Sequence, residues 1–168
     1  MVLQPSDIKH VSLEVFQIFS KETPLLTAGN RSAYNTMTIG WGGLGYLWRW
    51  PVCTVYVRPS RYTKAFMDRH NSFSVSVLGD EWKEQKALCG TKSGRDMDKL
   101  QACGLSVSFG DMETPYIQEA RLVMICRKLY YQDFDKSLFL DDKIALSYPE
   151  EDYHRMYVGE VMQVLQAV

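Results

Sequence analysis

Residues 35–43 read Asn-Thr-Met-Thr-Ile-Gly-Trp-Gly-Gly, residues 51–57 run Pro-Val-Cys-Thr-Val-Tyr-Val, and residues 58–63 turn through Arg-Pro-Ser-Arg-Tyr-Thr. The β-branched and aromatic content of the middle run predicts a strand. Its flanks differ. The first offers an amide, two hydroxyls and a tryptophan between glycines; the second offers two guanidiniums, two hydroxyls and the start of a helix. Together they suit a large, flat, anionic ligand.

Working outward, short runs rich in β-branched and aromatic residues recur at 25–28, 36–41, 51–57, 72–78, 105–109, 117–130 and 156–166, predicting about seven strands. Phe73, Val75 and Val77 alternate with Ser72, Ser74 and Ser76, the period of a strand with one buried and one polar face. Upstream, Ser6 is placed to cap an amphipathic helix within residues 1–22, with Ile8, Val11, Val15 and Phe19 on one face and Pro24 as its stop. Two short helices are expected at 62–70 and 94–102. The second is read as opening on a capping box of Ser93 and Asp96 and stopping at Gly104. Residues 132–152 are acidic and irregular, an excursion before the last strand. The fold class is therefore mainly β with a few helices, a closed or nearly closed antiparallel barrel over 25–166, because closure removes exposed strand edges.

A length of 168 residues with 46% apolar and 12% aromatic content supports one domain with its own core. Nineteen basic against twenty acidic residues give a net charge of -1, so no general polyanion field exists. Nucleic acid is not an expected partner, and any anion must be caught by a local cluster. No stretch approaches the roughly 18 apolar residues of a membrane helix and no leader pattern opens the chain, so a soluble, cytoplasmic protein without a membrane partner is expected. Cys53, Cys89, Cys103 and Cys126 form no Cys-x-x-Cys pair, which reads as reduced structural thiols and no metal site.

Several clusters carry chemistry. The 58–63 turn joins a strand end to a helix start, where backbone amides and arginines favour phosphate; it is equally satisfied if Ser60 or Thr63 merely caps the helix and the arginines sit in water. The 35–43 stretch matches what a flavin ring needs, hydrogen bonds at one edge and an aromatic face, yet it also reads as a glycine-rich loop. Thr91 to Lys99 places three cations beside two acids without the Walker order. No hydrolase elbow, His-Glu-x-x-His helix, calcium loop or dinucleotide fingerprint is present.

The order of the clusters resembles the flavin reductase-like family, with a particular likeness to its flavoredoxin branch. The likeness rests on Asn-x-Met-Thr at 35–38, Arg-Tyr-Thr at 61–63, Phe-x-Val-x-Val-Leu at 73–78, Ser-Gly-Arg-Asp at 93–96, Lys99, Gly104-Leu105 and the ending from His154 to Val161. It implies an FMN-binding split β-barrel, antiparallel with Greek-key connections, that works as a homodimer with FMN at the subunit interface. It implies further that Asn35, Thr36, Met37 and Thr38 lie against the isoalloxazine, with Trp41 beside it. Arg58, Ser60, Arg61, Tyr62 and Thr63 receive the phosphate, and Ser93 and Arg95 lie alongside. Lys99 and His154 are the catalytic candidates, stabilising negative charge on the reduced ring. The implied activity passes electrons from NAD(P)H through FMN to a flavin or a redox protein acceptor. Here Glu151-Asp152-Tyr153-His154 replaces the Gly-Asp-His ending of flavin reductases. That departure motivates an alternative, a flavoredoxin-type FMN electron carrier without its own nicotinamide site. A cofactor-free β-barrel that binds a partner through its Trp-rich loop is a third reading.

Overall fold

A computed structural model describes residues 2–8 and 11–168. In chain order the elements are β1 (Leu3–Ser6), α1 (Val15–Gln17, continuing as a π-helical turn over Ile18–Glu22), β2 (Leu25–Gly29), β3 (Tyr34–Thr38), β4 (Gly42–Leu47) and β5 (Trp50–Val57). There follow α2 (Thr63–Arg69), β6 (Ser72–Val77), α3 (Lys83–Thr91), α4 (Lys99–Cys103), β7 (Val107–Phe109), β8 (Pro115–Ile117), β9 (Leu122–Asp133) and β10 (Arg155–Ala167). The large sheet is antiparallel in the order β3-β2-β6-β9-β10-β5-β4, and β1 pairs with β10.

The sheet order forces curvature. β3 and β4 stand at opposite ends of a seven-strand path, yet only residues 39–41 join them. A flat sheet would hold those ends six spacings apart, about 29 Å at ~4.8 Å each, whereas four Cα steps reach about 15 Å at most. The sheet must curl until its ends face each other. Among the described residues no ladder joins β3 to β4, so the barrel is split along that seam, and the seam is where the 39–41 link runs.

β10 ties the two halves together. Its 13 residues pair with β9 along nearly their whole length. On the other side Arg155–Glu160 pairs with β5 and Val164–Ala167 with β1. Register shifts between Val158 and Gly159 and between Val161 and Gln163 bend the strand so that it can serve both neighbours. At the first shift a side chain on Gly159 would come within 2.7 Å of the Phe73 ring, so only glycine lets that ring pack under the strand.

Four sequence expectations are corrected. The opening helix is replaced by β1, because the far half of β10 offers backbone groups that Leu3–Ser6 satisfy; Pro5, opposite Leu165, is tolerated at such a margin. Over the described residues from Val11 onward helical geometry begins at Val15, and Lys9 and His10 lie outside the described residues. The serine face of β6 is not solvated. It is covered by the β7–β8 hairpin, with Ser74 Oγ donating to the Pro115 carbonyl (2.6 Å), the Ile117 amide donating to Ser76 Oγ (3.2 Å) and Thr114 Oγ1 donating to Ser72 Oγ (2.7 Å). The expected helix over 94–102 starts only at Lys99, because Asp98, not Ser93, accepts the amides of Leu100 and Gln101; Gly104 does end it, at φ 65. No strand is expected over 42–47, yet β4 pairs with β5 there through a turn whose residues Trp48 and Arg49 both take positive φ.

The expected irregular excursion is present, its turns at Lys136–Leu138 and Asp142–Ser147 lying between β9 and β10. Among the described residues no helix is long and apolar enough to cross a membrane.

Candidate functional site

Two cavities open beside the seam. The first, about 130 Å³, is walled by Asn35 and Met37 of β3, by Ser60 to Thr63, and by the segment running from the end of α3 to Lys99. The second, about 160 Å³, shares Met37 and Arg61 with the first and adds Thr38, Trp41, Tyr56, Arg58 and His154. Of the residues expected at the site, Asn35, Met37, Ser60, Arg61, Tyr62, Thr63, Ser93, Arg95 and Lys99 meet at the first cavity, and Thr38, Trp41, Arg58 and His154 at the second. Thr36 behaves differently. Its hydroxyl turns inward, donating to the Leu26 carbonyl (3.2 Å) and accepting from Thr27 (3.0 Å), so it presents only its backbone to the site.

Local chemistry fixes the first cavity. Asn35 Nδ2 donates to Thr63 Oγ1 at 2.7 Å, tying β3 to the first residue of α2. Gly94 lies against the same amide; a Cβ there would stand 1.9 Å from Asn35 Oδ1. Both Asn35 and Thr63 are buried, which makes the bond between them worth keeping.

Arg61, Lys92, Arg95 and Lys99 line this cavity and no carboxylate does. The cations are steered by neutral oxygens instead. Arg61 donates to the Gly90 carbonyl (2.8 Å), and Arg95 to the Ser60 carbonyl (3.4 Å) while lying over the Tyr62 ring at 4.8 Å. The buried Lys99 ammonium donates to the carbonyls of Thr36 and Cys89. Carbonyl dipoles orient these groups without cancelling their charge; Arg61, Lys92 and Arg95 remain exposed, while burial makes the Lys99 charge costly. Burial lowers the Lys99 pKa from its ordinary value, with Arg61 acting in the same sense.

The second cavity is quieter electrically. Arg58 is paired with Asp152 and also donates to the Ser147 carbonyl at 2.8 Å, so its charge serves the excursion rather than an anion. It lines the second cavity rather than the first, where the other expected phosphate-holding cations meet. His154 is 7% exposed, its Nδ1 lies 2.8 Å from the Tyr148 hydroxyl, and its ring stands 4.7 Å from that of Trp41. Burial first, then Arg58 and Arg61 against the opposing Asp152, push its pKa down to about 4. The ring is neutral at neutral pH. Trp41 is 44% exposed at the mouth of the seam.

Sequence reasoning missed Cys89, which it read only as a structural thiol, and noted Thr91 and Lys92 only as part of a charged run; α3 and its exit bring all three to the first cavity. The Lys-Glu-Gln-Lys-Ala-Leu run from 83 to 88 is made of good helix formers, and that signal could have found the helix. It also missed Tyr56 and Tyr148, whose roles depend on tertiary packing alone.

A model of the flavin reductase-like domain matches residues 16–167. No curated protein matches the chain. Among solved structures, flavoredoxin from Methanosarcina acetivorans superposes with a TM-score of 0.71 at 24% identity, covering 96% of this chain and 76% of that one. The FMN-binding domain of a flavin reductases-like enzyme from Shewanella baltica OS155 gives 0.70 at 16% identity, covering 98% and 76%. The NADH:FAD oxidoreductase SgcE6 of Streptomyces globisporus gives 0.66 at 14% identity, covering 87% and 76%.

Proposed function

This chain belongs to the flavin reductase-like domain family, and on that premise we propose that it is an FMN-binding oxidoreductase that moves electrons from NAD(P)H to a flavin or a redox protein acceptor. The observation that carries the reading is the first cavity, lined by Arg61, Lys92, Arg95 and Lys99 with no carboxylate among its walls. Among the described residues none of these cations has an ion-pair partner, and in a chain of net charge -1 such a cluster suits a localised dianion, which a flavin phosphate supplies.

The residues present fit that group. Ser60, Thr63 and Ser93 supply hydroxyls and Arg61 and Arg95 supply guanidiniums for the phosphate. The Thr63 hydroxyl accepts from Asn35, which leaves its own proton to donate to an anionic oxygen. Asn35, Met37, Thr38 and Trp41 border the space for the ring, with Lys99 and His154 within reach of it. FMN, when bound, supplies the two-electron chemistry, accepting a hydride and passing electrons on. The protein's part is placement and charge. Lys99 has two of its three protons on carbonyls, so the third is available to favour negative charge on a bound ring. Neutral His154, braced by Tyr148, offers a hydrogen bond rather than a charge.

Cavities of about 130 and 160 Å³ are smaller than the roughly 300 Å³ or more of ordinary ligand pockets. A second copy of the chain would supply the remaining cover, making the working unit a homodimer.

The carrier reading draws on a different observation. The Arg58–Asp152 pair and the Tyr148–His154 bond hold the excursion against the second cavity, where a nicotinamide would have to approach. Anaerobic addition of NADH and then NADPH to the FMN-loaded protein separates the two. Rapid loss of visible flavin absorbance with either donor supports the oxidoreductase, and no loss with either leaves the carrier.

A further inference from the structure

Two of the four cysteines meet at the wall of the first cavity. Cys89 in α3 and Cys103 at the end of α4 hold their sulfurs 4.0 Å apart. A disulfide holds its sulfurs about 2 Å apart, so closure asks each to move by about 1 Å. The pair is asymmetric. Cys89 is 1% exposed, whereas Cys103 is partly exposed and also donates from Sγ to the Gln85 carbonyl (3.7 Å). An oxidant arriving from water therefore meets Cys103 first, with Cys89 waiting behind it. Burial, then Cys103 itself, push the Cys89 thiol up to about 12 against the opposing charge of Lys99, so Cys89 does not ionise ahead of the reaction. Cys53 and Cys126 differ from this pair in being sealed in the core, each 0% exposed.

The elements that the pair joins give oxidation a consequence. Residues 92–98 connect α3 to α4, and Lys92 to Arg95 wall the cavity together with Cys89 and Lys99. Lys99 opens α4 one turn before Cys103, and its ammonium donates to the carbonyl of Cys89 itself (3.1 Å). The backbone of Cys89 is thus tied to the start of α4 and its sulfur touches the end. Drawing the sulfurs together shifts α4 against α3 and carries Lys99 with it.

We propose that Cys89 and Cys103 form an oxidation site, at which a hydroperoxide closes a disulfide and reshapes the cation-lined cavity. With hydrogen peroxide, the Cys103 sulfur attacks a peroxide oxygen, the O–O bond breaks, and water leaves with the Cys103 proton, giving a sulfenic acid. The Cys89 sulfur then attacks the Cys103 sulfur, the S–O bond breaks, and a second water leaves with the Cys89 proton. Two thiols lose two electrons, and one peroxide becomes two waters. Closure of the bond does not depend on FMN; the claim that it weakens FMN binding rests on the proposed flavin site.

The test treats the full chain, with and without FMN, with hydrogen peroxide, then blocks free thiols in denaturant and maps the digest by mass spectrometry. A cross-linked peptide joining Cys89 to Cys103, removed by dithiothreitol, is expected, with Cys53 and Cys126 recovered as free thiols. In Cys89→Ser, dimedone should tag Cys103 as a sulfenic acid. Fluorescence titration should show FMN affinity at least fivefold lower in the oxidised protein and restored by dithiothreitol. Cys103→Ser should keep the affinity of the untreated parent before and after peroxide. Free Cys89 and Cys103 after peroxide overturn the proposal, as does a cross-link from either to Cys53, to Cys126 or to a second chain. A Cys89–Cys103 bond that leaves FMN affinity unchanged also overturns it, because the cavity is then indifferent to the pair. If the untreated protein binds no FMN, the flavin reading falls by itself, and the cross-link read by mass still decides the oxidation site.

Discussion

Asn35 and Thr63, 28 residues apart in sequence, meet through a 2.7 Å hydrogen bond from the Asn35 amide to the Thr63 hydroxyl, with both side chains buried. That bond joins the ring-bordering strand to the turn proposed to hold the phosphate. Because Thr63 Oγ1 is the acceptor, its single hydroxyl proton is left for a ligand.

Thr63→Ala should therefore have two effects. Removing the acceptor leaves a buried amide with only the longer contact to the Thr36 carbonyl at 3.3 Å, at a stability cost of about 1 to 3 kcal/mol. It should also weaken FMN binding roughly tenfold through the lost hydroxyl donor. Urea denaturation and fluorescence titration with FMN measure the two; an unchanged FMN affinity would remove Thr63 from the phosphate site.

Gly94→Ala tests the same amide from the other side. Its Cβ would meet Asn35 Oδ1 at 1.9 Å and Asn35 Cγ at 2.9 Å, so the Asn35 side chain has to swing away. FMN affinity should drop at least tenfold, and the Asn35 side-chain amide resonances should shift in an NMR spectrum. Wild-type affinity with unshifted resonances would mean that the Gly94 loop moves freely and does not shape the cavity.

The order of the clusters was legible in sequence because the turn residues and hydroxyls of 35–63 and 93–99 are locally distinctive, and the apolar run from Pro51 to Val57 is an unambiguous strand. What stayed hidden came from packing between distant segments. The serines of β6 look solvated until the β7–β8 hairpin covers them, and β1 exists only because β10 is longer than β5. The pairing of Arg58 with Asp152 was hidden because the two lie 94 residues apart. Nothing local to Tyr148 marks it as the brace of His154, since that bond depends on how the excursion folds back.

His154 makes a pH prediction. Its folded pKa is pushed down to about 4 from an ordinary 6.5, so the unfolded chain takes up a proton between those values while the folded chain does not. The contribution to stability is complete above pH 6.5, is lost as pH falls from 6.5 toward 4, and changes no further below that. Urea midpoints at pH 7, 5.5 and 4.5 should fall less steeply for His154→Gln than for the parent protein. Parallel slopes would mean that the folded imidazole takes up its proton at the same pH as the unfolded one.

Lys99→Met should bind FMN more weakly and shift the midpoint potential of the bound flavin to more negative values, because the variant has no cation to favour the reduced ring. A dye-equilibrated redox titration reads the shift. The same potential in both proteins would confine Lys99 to holding the Thr36 and Cys89 carbonyls together.

The most direct test compares FMN with riboflavin, which carries the same ring without the phosphate, by fluorescence titration of the purified protein at fixed ionic strength. Two charge-assisted contacts at about 1.5 to 3 kcal/mol each amount to a preference of at least about a hundredfold for FMN. That preference should collapse toward unity in the Arg61→Ala, Arg95→Ala double variant. Equal affinity for FMN and riboflavin in the parent protein would contradict the assignment of the cation-lined cavity to a flavin phosphate.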